Sequence, residues 1–546
     1  MLGYNTNLEN ILIEIIPINF SKFKNTVPKD LWDALQEKAD NKRYLPVTLA
    51  TIMQNWTEKA GYPVVNVNLI GKDVVLSQER FFFHKAKGPK SKYKWYIPIS
   101  FTTDFEKQFN RTYARIWLTP NDNFVRIRNA IENEMSWIVI NIQSTAFIRV
   151  NYHESLWRAL EEALKKPGFD KIHVLNRAQI ISDATNLARA GALSYEIALN
   201  ILLYLKTETE YYPWYSAFDA FDYLFLRFNS GTEMTKLLNT HVLNLMQKLY
   251  RSVTIERFEP NHINTLKKVL TLRWACKLGH EESINNAMES FYSFRYNTIR
   301  IDPDYRSIVH CTTIRNSNDS QNWLYLRRRL AKTQQASEIS LILNALGCTK
   351  DENLLYMYLK ETIDPTSGIR PQDYTRVFLS VLSGNQEGIP VGLQFLKNNL
   401  QAIINNYGSL RNVVTILKAL ANRLTSRTLS KDFKAFIAEN EELLEDISHA
   451  TQSAIEACDE NLEWVEKHSG ELTRYLKENV YIETKVTEEI KSQRIQRLKS
   501  SSVKDLGVPT AKITTKSHVE METLKSNIAH ITPCNTLVVI IIMFNW

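Results

Sequence analysis

The sequence predicts a mostly α-helical protein in which a small β-sandwich precedes a large irregular α-solenoid, a HEAT- or armadillo-like helical bowl. Glycine and proline are scarce, at 16 of each in 546 residues, which favours long helices over an all-β fold. Residues 59–150 contain short runs of period two separated by turn residues. Residues 151–479 have the apolar spacing of amphipathic helices but no strict repeat.

The size and composition of the chain limit the classes of function that it can have. A chain of 546 residues is long enough for about three or four domains. The formal charge of +8 is small for this length, and the basic runs Lys90–Lys94 and Arg327–Arg329 are short and isolated. Nucleic-acid-binding proteins more often carry a basic stripe with interleaved aromatic residues. We therefore predict no nucleic-acid partner.

Residues 19–58 are predicted to form two helices. The segment PKDLWDALQEKA has Pro28 near its start, where proline is favoured, and Leu31 and Leu35 on one face. The segment VTLATIMQNWTEKAG gives a second helix that stops before Gly61.

The following segment, 59–150, is predicted to be the β-sandwich. Its candidate strands, separated by turn-prone segments such as KGPKS and TPND, are residues 62–70, 73–83, 93–100, 114–118 and 136–150.

Residues 151–479 are predicted to form stacked antiparallel helices. In LNRAQIISDATNLARAG, for example, Ile180, Ala184 and Leu187 share one face and Gly191 provides a C-terminal stop.

The two ends of the chain differ from this body. Residues 1–18 have no basic segment and are a poor signal peptide. Residues 480–530 are polar and weakly periodic, which is typical of a stalk or linker. The apolar tail, 531–546, follows small residues at Ser526 and Asn527 and a polar spacer, the layout of a GPI-anchor signal. A terminal strand or a translation artefact is the alternative interpretation of the tail.

Six blocks in register resemble the zinc aminopeptidase N family, of the membrane alanyl aminopeptidase type. They are GYPVVNVN (61–68), WIVINIQSTAFIRVNY (137–152), LNRAQIISDATNLARAG (175–191), YYPWYSAFDAFDYL (211–224), WACKLGHEES (274–283) and LNALGCTKDENLLYMYL (343–359). The resemblance implies that residues 19–58 are the helical end of a thermolysin-like catalytic domain, 59–150 the sandwich and 151–479 the C-terminal helical domain. Residues 1–18 are an unmatched leader.

The family's catalytic motifs are not in this sequence. Its zinc site is HExxH with a downstream Glu, in which two His residues on one helical face bind the metal, and a GxMEN loop binds the substrate amine. Here HESLW (153–157) and HEESI (280–284) lack the second His. We predict that His153 and His280 are surface or capping residues, that no residue of this chain is catalytic or binds zinc, and that the chain alone is inactive.

The resemblance also assigns the cysteines. Cys311 and Cys348 match the two halves of a family disulfide, with two buried thiols as the alternative. Cys276 is predicted to be free because Ser283 stands where the family has its partner. Cys458 is predicted to be a core or half-exposed thiol.

Four further side chains are candidates for structural or substrate-binding roles. Arg149 and Tyr152 are placed at the sandwich–solenoid junction, where a buried Arg needs carboxylate or carbonyl partners. Trp214 and Tyr215 are predicted to lie in the solenoid core. We favour structural roles for all four.

The sequence supports two accounts of function. In the first, the chain is the C-terminal portion of a zinc metalloaminopeptidase that removes N-terminal residues from peptides and is anchored to the cell surface by a lipid. The sequons at Asn55, Asn110 and Asn318 are its predicted glycosylation sites. In the second, the helical bowl is a non-catalytic module that binds a peptide or protein.

Overall fold

The computed structural model describes residues 27–39, 45–83, 91–228, 231–254, 261–296 and 300–502. The chain divides into one compact unit of residues 1–483 and a second of residues 484–546. In the second unit the described residues, 484–502, are helical. All of the packing below belongs to the first unit.

Two helices precede the strands, as predicted. They are α1 (Pro28–Ala39) and α2 (Leu49–Glu58), which pack against each other. The N-terminus of α2 is capped by Thr48, whose hydroxyl accepts a hydrogen bond from the Thr51 amide, because the first amides of a helix have no partner within it. The Trp56 indole of α2 donates to the Tyr96 carbonyl at 3.0 Å, which ties this helix to the sandwich.

Eight short strands form three small sheets. The strands are β1 (Pro63–Ile70), β2 (Asp73–Arg80), β3 (Ile97–Ile99), β4 (Phe101–Thr103), β5 (Ile116–Leu118), β6 (Val125–Ile127), β7 (Ile138–Ile140) and β8 (Arg149–Tyr152). One sheet has the order β6-β2-β1-β8, β3 pairs with β5, and β4 pairs with β7. The β1–β2 hairpin is antiparallel and turns at Gly71, whose φ of +63° favours glycine. Strand β8 lies parallel to β1.

The strand prediction is wrong in detail between residues 136 and 150. Instead of one strand there are two, β7 and β8, separated by a tight reversal in which Asn141 and Gln143 have φ of +67° and +53°. The Asn141 side chain holds this reversal by bonding the amide and carbonyl of Ala146, at 2.8 and 2.9 Å. Local side-chain bonding of this kind explains why asparagine tolerates the left-handed conformation. Strands β4 and β6 were not predicted.

Helices make up the rest of the described chain. They are α3 (Glu154–Lys165), α4 (Val174–Arg189), α5 (Tyr195–Leu202), α6 (Tyr211–Phe225), α7 (Glu233–Leu245), α8 (Gln247–Thr254), α9 (His262–Lys277), α10 (Glu281–Arg295), α11 (Arg306–Asn316), α12 (Ser320–Lys332), α13 (Ala336–Leu346), α14 (Glu352–Lys360), α15 (Tyr374–Gly384), α16 (Gly388–Asn406), α17 (Leu410–Ala421), α18 (Arg427–Glu439) and α19 (Ser448–Ser502). The prediction of a mostly helical fold with a small β part is confirmed.

The helix α4 illustrates the prediction from apolar spacing. Ile180, Ala184 and Leu187 are all buried, and Gly191 follows the helix with a φ of +71°, as predicted. The helix α19 extends beyond the predicted end of the domain, so residues 480–502 of the predicted stalk are helical. The leader, 1–18, the remaining stalk residues, 503–530, and the tail, 531–546, lie outside the described residues.

Two hydrophobic cores organise the first unit. The first is continuous from the sandwich through α3 to α9, and it includes Trp464 and Tyr475 of α19. Trp464 packs edge-on against Tyr195, with ring centroids 5.6 Å apart, and the Tyr475 hydroxyl bonds the Asn200 amide oxygen at 2.9 Å. The second core lies among the later helices and the start of α19. The last described helix therefore packs against α5 as well as against its neighbours in sequence.

Candidate functional site at the sandwich–helix junction

Arg149 joins the end of the sandwich to α4. Its Nε donates to the Tyr62 hydroxyl at 3.1 Å, and its Nη1 donates to the Ser182 carbonyl at 3.2 Å and to Asp183 Oδ1 at 3.4 Å. Its guanidinium also lies 5.2 Å from the centroid of the Phe81 ring. The partners are a carboxylate and a carbonyl, which are the groups that a buried arginine requires. All of these groups belong to the chain itself, which favours a structural role over substrate binding.

Asp183 is the second half of this junction. One oxygen of its carboxylate accepts from the Val150 amide at 3.1 Å and from the Gln179 amide group at 3.3 Å. Burial nevertheless raises the pKa of Asp183 to about 7, against the opposing effect of Arg149 and of these donors. Tyr152 lies two residues after Val150 on β8, and its hydroxyl accepts a hydrogen bond from the Ile140 amide at 3.0 Å. Burial raises the pKa of the Tyr152 phenol. Tyr152 therefore links β8 to β7.

A second buried ion pair joins the start of α4 to the loop after α5. Arg177 Nε donates to Glu208 Oε2 at 2.7 Å, and its Nη1 donates to the Ile172 carbonyl at 2.6 Å. The side chains of both partners are at most 5% exposed. Glu208 Oε1 also accepts from the Thr209 and Glu210 amides, both at 2.9 Å. This pair fixes the loop between α5 and α6 against α4.

Trp214 and Tyr215 have different environments, although both were predicted to be core residues. Trp214 is fully buried and its indole donates to the Glu208 carbonyl at 3.0 Å, so the prediction for Trp214 is confirmed. Tyr215 is 43% exposed, so the prediction for Tyr215 is wrong. One residue along a helix turns the side chain by about 100°, which carries Tyr215 away from the face that Trp214 buries.

The histidines of HESLW and HEESI lie at helix N-termini. His153 precedes α3 and its Nδ1 accepts from the Ser155 amide at 3.4 Å. His280 precedes α10 in the same way and accepts from the Ser283 amide at 3.4 Å. The prediction of capping histidines is confirmed, and the Glu that follows each one lies in the first helical turn, where a negative charge is favourable.

The same geometry shows how poorly these residues fit a zinc site. The two nitrogens that accept backbone hydrogen bonds face their own helices, and HExxH chemistry requires both His residues on one helical surface. Throughout the described residues, no group of three or more His, Cys, Asp or Glu side chains is arranged to hold a metal ion. We therefore assign no step through zinc to the described residues.

The four cysteines of the described residues lie in or against the second core. Cys311 and Cys348 form a disulfide between α11 and the residues after α13, with their Cα atoms 5.4 Å apart. Cys276 is a free buried thiol, as predicted, and its Sγ lies 3.5 Å from the Ser283 carbonyl. Cys458 is also free and buried, and burial raises its pKa to about 11. The raised pKa makes Cys458 a poor thiolate at neutral pH.

The sequons differ in their surroundings. Asn110 lies exposed in a turn, and Asn318 lies exposed between α11 and α12. Asn55 is half-buried on α2, and its amide group bonds the Lys94 carbonyl at 3.1 Å and the Tyr96 amide at 3.2 Å. Glycosylation of all three stays a prediction. The predicted GPI positions, Ser526 and Asn527, are outside the described residues.

An exposed face of α6 lies beside the junction. Tyr215, Asp219 and Asp222 follow one another at helical spacing and are all exposed. Burial raises the pKa of Asp219 although its side chain is accessible to solvent, with Arg189 and Arg149 acting in the opposite direction. The exposed α6 face therefore carries an aromatic and two acidic side chains, and the arginines Arg189 and Arg149 lie close enough to act on one of the acids.

Comparison with known proteins identifies this architecture. A family model described as the ERAP1-like C-terminal domain matches residues 137–460, which is more than half of the chain. The chain belongs to this family. The match begins just before β7 and includes the Arg149–Asp183 junction, both capping histidines and the disulfide of the ERAP1-like domain.

Full-length relatives of the ERAP1-like domain are aminopeptidases. The chain is 30% identical over 463 residues to aminopeptidase N of Plutella xylostella, which covers 84% of this chain and 48% of the relative. It is 30% identical to aminopeptidase Ey of Gallus gallus, over 82% of this chain and 46% of the relative, and 28% identical to aminopeptidase N of Homo sapiens, over 84% and 47%. The chain thus spans about half the length of these relatives and corresponds to the C-terminal half of an aminopeptidase N family member.

Within the described part of the ERAP1-like chain, no helix combines the length and the apolar character needed to cross a membrane.

Sequence reasoning missed most of the partners of the junction arginines. Asp183 and Glu208 lie in the middle of polar stretches, ISDATN and TETEYY, where an acidic residue ordinarily indicates solvent exposure. The signal that was available is the buried Arg149 itself, since a buried guanidinium implies a carboxylate or carbonyl nearby. That argument predicts a partner but not which residue supplies it.

Proposed function

We propose that this chain is the C-terminal part of a membrane-anchored zinc aminopeptidase that removes N-terminal amino acids from peptides. In this proposal the chain provides the β-module that acts as a spacer and the helical domain, while the metal and the substrate amine are bound elsewhere in the complete enzyme. The observation that carries the proposal is the match of residues 137–460 to the ERAP1-like domain, together with aminopeptidase relatives across about 84% of the chain.

The junction supports the role of a rigid spacer. Arg149 and Asp183 join β8 to α4, and the first core runs without interruption from the sandwich into α3 to α9. Close-packed interiors resist deformation, so these elements move as one body. A catalytic domain attached through α1 and α2 then has a rigid support.

An activity assay tests the enzyme part of the proposal. We expect the purified 546-residue chain to hydrolyse no aminoacyl-arylamide, such as alanine p-nitroanilide, above the buffer rate with or without added zinc. Neither an activated water nor a positioned base comes from the motifs of this chain. A full-length aminopeptidase N provides the positive control. Turnover that depends on zinc and disappears with a chelator would contradict the proposal.

Membrane attachment needs a separate test. With a secretion signal added in front of the complete chain, we expect animal cells to display it at their surface and a phosphatidylinositol-specific phospholipase to release it. Replacing both Ser526 and Asn527 with bulky Phe should abolish display, because the attachment site requires small residues. A control with Phe at Ser501 and Ser502 should leave display unchanged. Surface protein that resists the phospholipase would contradict a lipid anchor.

The exposed face of α6 favours a second candidate, a non-catalytic peptide- or protein-binding module. Its exposed Tyr215 and neighbouring arginines are residue types common in binding sites. This candidate predicts binding of peptides without turnover. The first candidate predicts that fusing this chain to the catalytic half of an aminopeptidase restores turnover.

A further inference from the structure

The four-stranded sheet of the sandwich has two edge strands, β8 and β6. At the β8 edge, Asp183 of α4 accepts a hydrogen bond from the Val150 amide at 3.1 Å and also pairs with Arg149. One carboxylate of the helical domain thus satisfies both an amide and an arginine of this edge. Among the described residues, β6 pairs with β2 alone, and its other edge has no strand partner. The two edges of the same sheet therefore differ in whether the chain itself covers them.

Strand register determines which side chains at β6 face solvent. Val125 and Ile127 lie opposite fully buried residues of β2, so these two side chains face the core. Side chains alternate between the two faces of a strand, which places Phe124, Arg126 and Arg128 on the opposite face. All three are exposed, and Phe124 is 55% exposed although it is apolar. We call Phe124, Arg126 and Arg128 the edge residues.

The two arginines among the edge residues are compensated only in part. Arg126 pairs with Asp73 of β2 at 3.3 Å, but its side chain stays 42% exposed. The other oxygen of Asp73 accepts from the Asn129 amide at 2.8 Å, so this carboxylate is already shared. Arg128 forms no ion pair with a carboxylate in the described part of the chain. N–H groups of both guanidinium groups are therefore available to an acidic side chain from outside.

The charge of the sandwich favours an acidic partner. Residues 59–150 contain fourteen Lys and Arg against seven Asp and Glu, a formal charge of +7 compared with +8 for the whole chain. Lys72, in the turn before β2, is exposed, and its carbonyl accepts from the Ile131 amide at 3.1 Å. This bond brings the segment that follows Arg128 to the same turn, so Lys72 adds a further positive charge at this end of the edge. Positive charge of this kind attracts an acidic partner and speeds its association.

An extended segment matches this edge better than a compact ligand does. Arg126 and Arg128 are two residues apart along a strand, which is a separation of about 6.6 Å. Alternate side chains of a second extended chain have the same spacing, so two acidic residues separated by one residue can form cross-strand pairs with both arginines. The open backbone edge can add main-chain hydrogen bonds, as in the addition of a peptide strand to a sheet. A second copy of β6 would instead bring arginines together, and charged edges prevent self-association in this way.

We propose that the β6 edge docks an extended acidic segment of a partner protein, which adds to the four-stranded sheet as a fifth strand. Acidic side chains of the segment pair with Arg126 and Arg128, and an apolar side chain two residues further along packs on Phe124. This interaction does not depend on the proposed aminopeptidase function, because the sandwich forms the surface and no turnover is involved.

Calorimetric titration of the full 546-residue chain with short peptides at low salt tests the proposal. The acidic probe is acetyl-Thr-Glu-Thr-Glu-Thr-Val-Thr amide, and its reversed sequence tests the parallel orientation. A neutral probe has Gln in place of both Glu. A rearranged probe, acetyl-Thr-Glu-Glu-Thr-Thr-Val-Thr amide, has the same charge but places its two acids on opposite faces of a strand. We expect the neutral and the rearranged probes to bind at least tenfold more weakly than the acidic probe.

Variants connect the binding to the β6 edge. Arg128→Glu should weaken the acidic probe at least tenfold, while Arg111→Glu, the same charge change at an exposed arginine elsewhere in the sandwich, should change it less than twofold. Thermal unfolding checks that Arg128→Glu folds, and Arg128→Gln replaces it if it does not. The bound acidic probe should also slow hydrogen exchange of backbone amides in residues 124–128, because strand addition gives these amides new partners.

Several results would overturn the proposal. They are equal binding of the acidic and the rearranged probes, an equal loss of binding in the Arg111 and Arg128 variants, unchanged hydrogen exchange at β6, and no binding of the acidic probe in either orientation. Tighter binding of a sulfated oligosaccharide or of a single-stranded oligonucleotide would also overturn it, because the edge would then be a general site for polyanions.

Discussion

The junction arginines, Arg149 and Arg177, and a second pair, Arg189 and Arg227, all lie against aromatic rings, but the two pairs differ in their charge partners. Arg149 and Arg177 each reach a carboxylate of α4 or of the loop after α5, at 3.4 and 2.7 Å. Arg189 and Arg227 share the Tyr223 ring as a neighbour, and Arg227 also donates to the Asn422 carbonyl, but neither forms an ion pair with a carboxylate of the described residues. Carboxylates of the fold therefore compensate the first pair, whereas an aromatic ring and a carbonyl offset only part of the cost of burying the second.

The largest effect is expected from removing the carboxylate of a junction arginine. Glu208→Gln should destabilise the chain by about 3–5 kcal/mol, because it leaves the buried charge of Arg177 without a counterion. Urea unfolding followed by tryptophan fluorescence measures the loss. Glu466→Gln is the control, since the Arg427–Glu466 pair is exposed and its loss should not shift the midpoint.

A double variant shows whether the uncompensated charge is the cause. Arg177→Met together with Glu208→Gln should recover much of the stability that Glu208→Gln loses, because no unpaired charge remains. An equal loss in the single and double variants would contradict the charge-pairing argument and point to the packing of the loop instead.

The second effect is a pH dependence at the other junction pair. The pKa of Asp183 is about 7 in the folded chain and about 3.9 in an unfolded one, so the folded state binds the proton more tightly. Its contribution to stability is therefore fully present below pH 4 and is lost as the pH rises to about 7. Relative to Asp183→Asn, the native chain should lose up to about 3 kcal/mol between pH 5 and pH 8.

Unfolding midpoints of the native chain and of Asp183→Asn across this pH range provide the measurement. The difference between them removes the contribution of all other titrating groups that behave alike in both proteins. A difference that grows in the opposite direction would mean that Arg149 and the donors to Asp183 outweigh burial, so that the carboxylate is ionised throughout.

The sequence predicts the elements of this molecule better than it predicts their connections. The helical spacing of apolar residues and the residues that end helices predicted α1, α2 and α4 correctly. A helix that buries one face shows this in its local sequence. The reversal at Asn141 was missed because residues 136–150 contain no glycine or proline to mark a turn. Tyr215 was misplaced because neighbouring aromatic residues in YYPWYS gave no indication of which one faces solvent.

The site residues divide in the same way, into local features that the sequence predicts and long-range contacts that it does not. His153 and His280 were correctly predicted to cap helices, since a cap depends only on adjacent residues. Arg189 ends α4 and Arg227 follows α6, so the two arginines are far apart in the sequence. No local sequence pattern shows that both lie against Tyr223. Only the packing of the helices brings them together.

A third kind of buried arginine gives an intermediate case. Arg315 donates through Nη2 to the Gly384 carbonyl at 2.9 Å and to Cys311 Sγ at 3.1 Å, and burial lowers its pKa. Its partners are neutral, but they are well placed acceptors. Arg315→Met should cost about 2 kcal/mol, the usual value for a hydrogen bond from a charged donor. Urea midpoints measured with the disulfide intact, beside Arg328→Met as an exposed control, test this value.

The smallest effect is expected at Arg189, between Phe83 and Tyr223. Arg189→Met keeps an unbranched chain between Phe83 and Tyr223 but removes a charge that has no counterion, so stability should change by less than about 1 kcal/mol and in either direction. Arg177→Met is the matched comparison, because it leaves Glu208 buried and unpaired and should cost several times as much. If both variants lose the same stability, Arg189 is paired in solution by a group of this chain. The distinction between arginines with and without a carboxylate partner then does not hold.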